Sequence, residues 1–452
     1  MASAAAGTLS AVEQRPTTSL PKGPRWPAVA QTVAWAVSLP WVLDHCSERY
    51  GEAFTLRFFP SGRKIVVVSG PEAVKQVFAA PPEVAPSAAG TSPIAAVMGP
   101  SSVLTLTGPE HIRQRRLLLP PFHGERMKEY EETIVEATRR DMQTWPTGEP
   151  VSTQERTRAI TLEVILRAVF GVEAERMDPL REAIGGLFQP LRLPMLLRIA
   201  LSRPTMERPK GSFGQALDKL DEEVYAEIAR RRAQADLGER KDILSLLMQA
   251  RDEEGTAMQD SELRDELVTL LLAGHETTAT TVAWAIERLV RHPDKLERLT
   301  AECDKGESDE YVQAVVSETM RVRPVVPMVI RVLQEPFRVG EHELPAGTRV
   351  APSIYLTNRD PKVYEAPEEF RPERFTDSQP ETFSWIPFGG GIRRCIGASF
   401  ATLEAKLMLS TILRELTPSL PPRARRAGER SRRRAITLVP ANGARVVWSR
   451  RG

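Results

Sequence analysis

Residues 388–397 read Phe388-Gly389-Gly390-Gly391-Ile392-Arg393-Arg394-Cys395-Ile396-Gly397 and lead directly into an amphipathic run over residues 398–416. A lone cysteine is usually an inert buried one. This one follows three glycines, which permit tight turns and close backbone approach. It precedes a predicted helix N-terminus, whose partial positive charge stabilises a thiolate. Backbone N–H groups freed by such a loop can also hydrogen-bond the sulfur. The combination suits a thiolate that stays ionised while ligating a metal.

Upstream, Ala273-Gly274-His275-Glu276-Thr277-Thr278 lies within a helical stretch predicted over residues 260–291, a rod of ~45–48 Å. Its middle is nearly all apolar, so Glu276 stands where a charge is expensive. Gly274 and the threonines weaken the backbone ladder and are expected to let it bulge. Taken alone, the motif also reads as a polar patch at a helix–helix contact. Glu318-Thr319-Met320-Arg321 puts a carboxylate and a guanidinium on one face of a helix ending at Pro324. His111 and Arg115 are one helical turn apart, and Arg331 and Arg393 lie elsewhere. Each of these is bland by itself, because exposed arginines outnumber functional ones.

The chain has 452 residues, 41% hydrophobic and 27% charged, enough for a large core and against wholesale disorder. The balance of 61 basic and 59 acidic residues gives no global field toward nucleic acid or membranes. Three scattered cysteines, Cys46, Cys303 and Cys395, fit a reducing compartment and not a disulfide framework. No phosphate-binding glycine motif and no Cys-x-x-Cys pair is present. Ten arginines and one acid, Glu429, occupy residues 423–451, and with Trp448 the lone aromatic there this reads as a solvated basic edge.

Helical periodicity dominates, as in Phe213, Leu217, Leu220, Val224 and Ile228, and in Met127, Tyr130, Ile134 and Ala137. Strands are predicted at 64–69, 329–333 and 348–351, with 436–439 and 445–448 paired around a Pro-Ala-Asn-Gly turn. The fold class is mainly α with a small β portion (α+β). Residues 1–20 read as a flexible leader and 21–452 as a single domain. The uncharged run 26–43 contains Pro27, Gln31, Thr32, Ser38 and Pro40 and reads as a helix of the domain, not a membrane span.

Together these residues resemble the cytochrome P450 superfamily of haem-thiolate monooxygenases, in its soluble bacterial form, over about residues 20–447. The cysteine loop reproduces the family's F-G-x-G-x-R-x-C-x-G signature without a gap. The A-G-x-E-T-T and E-x-x-R motifs follow the family's order and separation, and Pro372-Glu373-Arg374-Phe375 looks like the segment whose arginine joins the E-x-x-R pair.

The resemblance implies a haem b (iron protoporphyrin IX) held between the long central helix and the helix after the cysteine loop. It makes Cys395 the axial iron ligand, with Phe388 and Ala273 beside the haem. Glu276 and Thr277 would deliver protons to bound dioxygen. His111, Arg115, Arg331 and Arg393 look like the groups that hold the haem propionates. At His111 many relatives have Trp instead. Glu318, Arg321 and Arg374 would form a buried supporting network.

The implied reaction is insertion of one oxygen atom from dioxygen into an apolar small molecule, by hydroxylation or epoxidation. Terpenoids, steroids, fatty acids and polyketides all remain open. Electrons would come from a separate ferredoxin or flavodoxin with its NAD(P)H reductase, docking near Arg393 and Arg394. The pocket is expected from residues 85–106, 187–201 and 325–330, including Leu187, Pro190, Leu193, Met195, Leu196, Val326, Met328 and Val329. Arg192 and Arg198 read as snorkelling at a helix surface. A monomeric cytoplasmic enzyme with no transmembrane anchor is expected. A peroxide-driven enzyme and a non-catalytic haem sensor or carrier are the rival readings, and the intact Glu276-Thr277 pair speaks against both.

Overall fold

The computed structural model of the chain describes residues 19–91, 94–124, 126–171, 178–187, 209–378, 380–422, 424 and 428–451. The first eighteen residues of the expected leader lie outside these. So do residues 188–201 of the expected pocket, with Pro190, Arg192, Leu193, Met195, Leu196 and Arg198.

The organising element is the helix Asp260–Leu289, opened by a capping box in which Glu262 accepts the Gln259 N–H at 2.8 Å. Leu267, Leu271, Ala279, Ala283 and Ile286 are buried around much of its circumference, as a helix threading a core requires. It crosses the helix Thr153–Phe170, whose Thr161 and Thr157 hydroxyls donate to the His275 and Ala279 carbonyls at 2.8 and 2.9 Å.

The expected bulge at Gly274 does not form, and the helix is continuous. The hydroxyls of Thr277, Thr280 and Thr281 add bonds to the i−4 carbonyls of Ala273, Glu276 and Thr277 at 2.8, 2.7 and 3.1 Å. Gly274 instead admits the crossing helix: a Cβ there would sit 3.1 Å from Ile165 Cδ1.

The helix Ala398–Glu415 follows the cysteine loop and packs against the central helix, Arg126–Met142 and Glu310–Val322. Phe400, Ala405, Met408, Leu409 and Ile412 give it a buried face at three- and four-residue spacing.

A four-stranded sheet has the order β1 (Ala53–Arg57), β2 (Lys64–Val68), β7 (Arg349–Pro352), β4 (Arg331–Val332); β2 and β7 run parallel and the other pairs antiparallel. A three-stranded sheet orders β3 (Pro150–Ser152), β11 (Arg445–Arg450) and β8 (Leu416–Ser419). Two hairpins pair β5 (Phe337–Val339) with β6 (His342–Leu344) and β9 (Ser431–Arg434) with β10 (Thr437–Pro440).

The expected pairing of 436–439 with 445–448 is therefore wrong: β10 pairs with β9, and β11 with β3 and β8. Gly443 and Ala444 both take left-handed backbone, φ 77° and 51°, and swing the chain onto β3. There the Gly443 carbonyl accepts the Gln154 N–H at 3.1 Å.

The single helix expected over 26–43 is two, Ala28–Val37 and Leu39–Tyr50. The break is at Ser38, and Pro40 sits in the first turn of the second, where its missing N–H costs nothing. Among the described residues no helix is long and apolar enough to cross a membrane.

Candidate active site

The cysteine loop is closed by its own backbone: Cys395 donates its N–H to the Phe388 carbonyl at 3.0 Å, and Arg394 to that of Gly391 at 3.0 Å. Gly389 and Gly391 hold φ of 68° and 65°. A Cβ at Gly391 would lie 2.1 Å from the Phe78 carbonyl oxygen, and one at Gly390 would lie 2.4 Å from the Phe78 ring. The glycines thus let the loop press onto the helix Pro71–Ala79. Phe388 is half-buried, its ring edge-on to Trp385.

Cys395 is an exposed residue, yet its thiol is closely surrounded by protein atoms. Burial pushes the thiol up. The Gly397 N–H, Arg394 and Arg115 pull the other way, favouring a thiolate.

Beside it lies a cationic group without counter-charge. Burial, and then the guanidiniums of Arg393, Arg115 and Arg331, push His111 down to about 3, so the imidazole is neutral and the three arginines surround it. Burial also lowers Arg331 and Arg393 to about 10. Among the described residues none of the three forms an ion pair with an acid, and buried His111 Nδ1 has no hydrogen-bond partner. Arg393 spends part of its fork on the Val103 carbonyl, at 3.0 Å, and on that of Leu106. Such an uncompensated set accepts carboxylates.

Ala273 and Thr277 share one face of the central helix. Ala273 is exposed and Thr277 half-buried, its hydroxyl donating to the Ala273 carbonyl. Glu276 is buried and engaged elsewhere: its carboxylate lies 2.8 Å from Arg158 Nε on the crossing helix and 3.3 Å from Arg434 Nη1 on β9. Burial raises its pKa against the pull of both arginines. No hydrogen bond joins the Glu276 and Thr277 side chains. Arg158 and Arg434 also line an open cleft of about 410 Å³ with Gln154, Arg432, Asn442 and Arg445.

Glu318 and Arg321 are fully buried, 2.6 Å apart, and Arg374 approaches Glu318 at 3.7 Å. Arg321 also donates to the carbonyls of Asn358, Pro367 and Glu369 at 3.1, 2.8 and 3.0 Å. Five bonds from one guanidinium tie the helix Glu310–Val322 to two loops.

Sequence reasoning missed Arg158 and Arg434, which pair with Glu276 from distant elements and carry no local signal. It also missed Glu404, fully buried on the cysteine-loop helix, bonded to Thr278 of the central helix and with Oε1 unpartnered. Its place among the apolar positions of residues 398–416 was the available clue. Arg393, expected also at a docking surface, turns inward, whereas Arg394 is exposed.

The sequence profile of the family described as Cytochrome P450 matches residues 21–443. A Mycobacterium tuberculosis (strain ATCC 25618 / H37Rv) protein named "Putative cytochrome P450 137" is 41% identical over 431 residues, covering 93% of this chain and 87% of that protein. Another from the same strain, "Putative cytochrome P450 138", is 38% identical over 450 residues, covering 98% and 99%. Among solved structures, the retinoic acid-bound cyanobacterial CYP120A1 superposes with a TM-score of 0.81 at 25% identity, covering 96% of this chain and all of that one. The haem domain of cytochrome P450DA gives 0.82 at 24% identity, covering 96% and 98%, a likeness of fold alone. The chain belongs to the cytochrome P450 family and has its fold, and it is accordingly an oxidoreductase of the haem-dependent monooxygenase type.

Proposed function

We propose that residues 21–452 form one unit that binds haem b through Cys395 and inserts one oxygen atom from dioxygen into an apolar small molecule. The reading rests on one observation above all: a glycine-cradled cysteine beside three arginines and a histidine with no acid among them. That donor set fits a cofactor carrying one metal and two carboxylates. Cys395 would supply the thiolate ligand to the iron, and Arg115, Arg331, Arg393 and His111 would take the propionates. Bound there, haem activates dioxygen for attack on a C–H bond or alkene.

The rest is done by this chain's side chains. Burial makes the charged form of Glu276 costly and raises its pKa, while Arg158 and Arg434 pull the other way, so its carboxyl is suited to take up and pass on a proton. The same two arginines line the open cleft, so a proton route from solvent to Glu276 would run past them. Thr277 gives its hydrogen to Ala273, so its oxygen lone pairs are free to accept a hydrogen bond at the exposed face. Val326, Met328, Val329 and Ile330, all partly accessible, offer apolar contacts to the substrate. A neighbour that holds retinoic acid supports an apolar class of substrate.

Electrons would come from a ferredoxin or flavodoxin with its NAD(P)H reductase, in the cytoplasm, with exposed Arg394 facing an acidic donor. The test is the absorption spectrum of dithionite-reduced protein with carbon monoxide, for wild type and Cys395→Ser. A strongly red-shifted Soret band that the variant loses is expected. A band typical of histidine-ligated haem would overturn the reading.

A further inference from the structure

Arginines from three elements that meet only in the fold line the open cleft of about 410 Å³, and two of them pair with buried Glu276. Arg158 comes from the helix Thr153–Phe170, Arg432 and Arg434 from β9, and Arg445 from β11. Arg432 and Arg434 stand two apart on one strand and so share a face, while Arg433 points the other way, over the Trp35 ring at 5.8 Å. The first turn of Thr153–Phe170 borders the same space through Ser152, Gln154 and Glu155, and the helix N-terminus adds partial positive charge.

The charges in the cleft are not matched one to one. Arg158 and Arg434 are engaged by Glu276, at 2.8 and 3.3 Å. Arg432 and Arg445 are exposed, and among the described residues neither is in an ion pair; Arg445 donates to the Pro150 carbonyl at 3.0 Å. Buried arginines elsewhere are answered by acids, as Arg231 is by Asp242 and Arg264 by Asp221. Here the nearby acids do not fill that role. Glu149 and Glu155 line the cleft but are exposed and form no ion pair among the described residues. Glu429 is taken up by Asn442, accepting its backbone N–H and its side-chain Nδ2–H at 2.6 and 3.0 Å.

Guanidinium forks around a concave polar space suit oxyanions, and phosphate oxygens fit such forks bidentately. With exposed Arg432 and Arg445 on the solvent side and Arg158 and Arg434 on the side of Glu276, the arrangement suits two linked phosphoryl groups better than one. We propose that this cleft binds a diphosphate-type anion, free or as a phosphate ester, and that the anion competes with Glu276 for Arg158 and Arg434. Its occupation draws counter-charge from Glu276 and so opposes the ionised carboxylate, and the coupling acts by the same factor in both directions. Binding needs neither haem nor substrate and stands apart from the function proposed above; only its consequence for turnover rests on Glu276 passing protons.

The experiment is isothermal titration calorimetry of the full-length, haem-loaded protein at pH 8 with sodium diphosphate, orthophosphate and adenosine diphosphate, the ionic strength held constant with sodium chloride. A single saturable site is expected, with diphosphate bound on the order of tenfold more tightly than orthophosphate. Tighter binding of adenosine diphosphate would identify an ester as the source, and tighter binding of diphosphate the free anion. Arg432→Gln/Arg445→Gln should weaken binding about tenfold or more, with unchanged circular dichroism, since both side chains face solvent. Glu276→Gln removes the buried competitor and should tighten diphosphate binding by roughly fivefold or more. That gain separates the cleft from diffuse attraction to surface arginines, which salt screens and a buried substitution does not strengthen. Three results would overturn the proposal: no saturable binding of any of the three anions, equal binding by wild type and Arg432→Gln/Arg445→Gln, or equal binding by wild type and Glu276→Gln.

Discussion

Arg393, two residues before Cys395, donates from Nη1 to the Val103 carbonyl at 3.0 Å, and the N–H of the same residue, Val103, donates to Glu266 Oε1 at 2.8 Å. The contact belongs to a longer clasp. Asp265 Oδ2 accepts the Ser101 N–H at 2.8 Å, and the Ser102 and Thr269 hydroxyls meet at 2.6 Å. Gly99, at φ 92°, lies so close to Asp265 that any Cβ would overlap the carboxylate. The loop over residues 99–106 is thereby fastened to the central helix on one side and to the cysteine loop on the other.

Glu266 is therefore expected to act through Val103 on Arg393. Burial holds its carboxyl well above the ordinary range, and the amide oxygen of glutamine offers Val103 the same kind of acceptor. Glu266→Ala should raise the haem dissociation rate on the order of tenfold, and Glu266→Gln should stay within about twofold of wild type. Haem transfer to an apo-globin acceptor measures this. Equal rates in all three proteins would show that the Arg393 fork needs no support from the central helix.

The Glu318–Arg321 pair makes a prediction about stability. Both side chains are fully buried, so losing one strands the other. Arg321→Met should cost about 3–5 kcal/mol, and adding Glu318→Leu should recover much of that. Guanidinium unfolding midpoints for the two proteins decide it. If the double variant is no better than the single, the stabilisation lies in the bonds from Arg321 to the Asn358, Pro367 and Glu369 carbonyls instead.

Glu276 makes a kinetic one. Glu276→Gln keeps the shape and removes the transferable proton, so turnover should fall by roughly 10²-fold or more. Substrate-induced spectral shifts should persist, because Glu276 is turned toward Arg158 and Arg434 and away from Thr277's face. Parallel loss of binding and turnover would mean that the residue serves the helix packing alone.

The motifs carried by spacing within one element were legible. The cysteine loop, the Glu318–Arg321 face and the one-turn His111–Arg115 step all follow from period and backbone rules, and folding leaves those local relations intact. What could not be read was anything set by tertiary approach. Nothing near Glu276 announces Arg158 or Arg434, and nothing in the Arg393 neighbourhood announces Val103. The β10–β11 pairing failed for a specific reason: a Pro-Ala-Asn-Gly turn looks like a hairpin until left-handed Ala444 redirects it to β3. The run 26–43 reads as one helix of the domain, yet it breaks at Ser38 into two, and Val29, Val33 and Val37 of the first face solvent. Hydrophobic periodicity locates an apolar stripe without saying what covers it.

Glu404 carries the last prediction, because its charge state couples folding to pH. Burial pushes its carboxyl from the ordinary 4.5 up to about 8, with the Thr278 hydroxyl pulling weakly the other way. The folded chain thus keeps a proton that the unfolded chain releases above pH 4.5. Stability from this group is complete below that pH and declines as pH rises toward 8, by at most about 1.4 kcal/mol per unit. Glu404→Gln stays neutral at every pH and can still bond Thr278, so it should remove this slope. The variant and wild type should unfold at similar temperatures at pH 4.5, and the variant should be the more stable above pH 8, by up to about 5 kcal/mol. Thermal unfolding across that range is the measurement. Parallel curves for the two proteins would mean that the buried carboxyl is ionised in the folded chain, with a counter-charge close to its unpartnered oxygen.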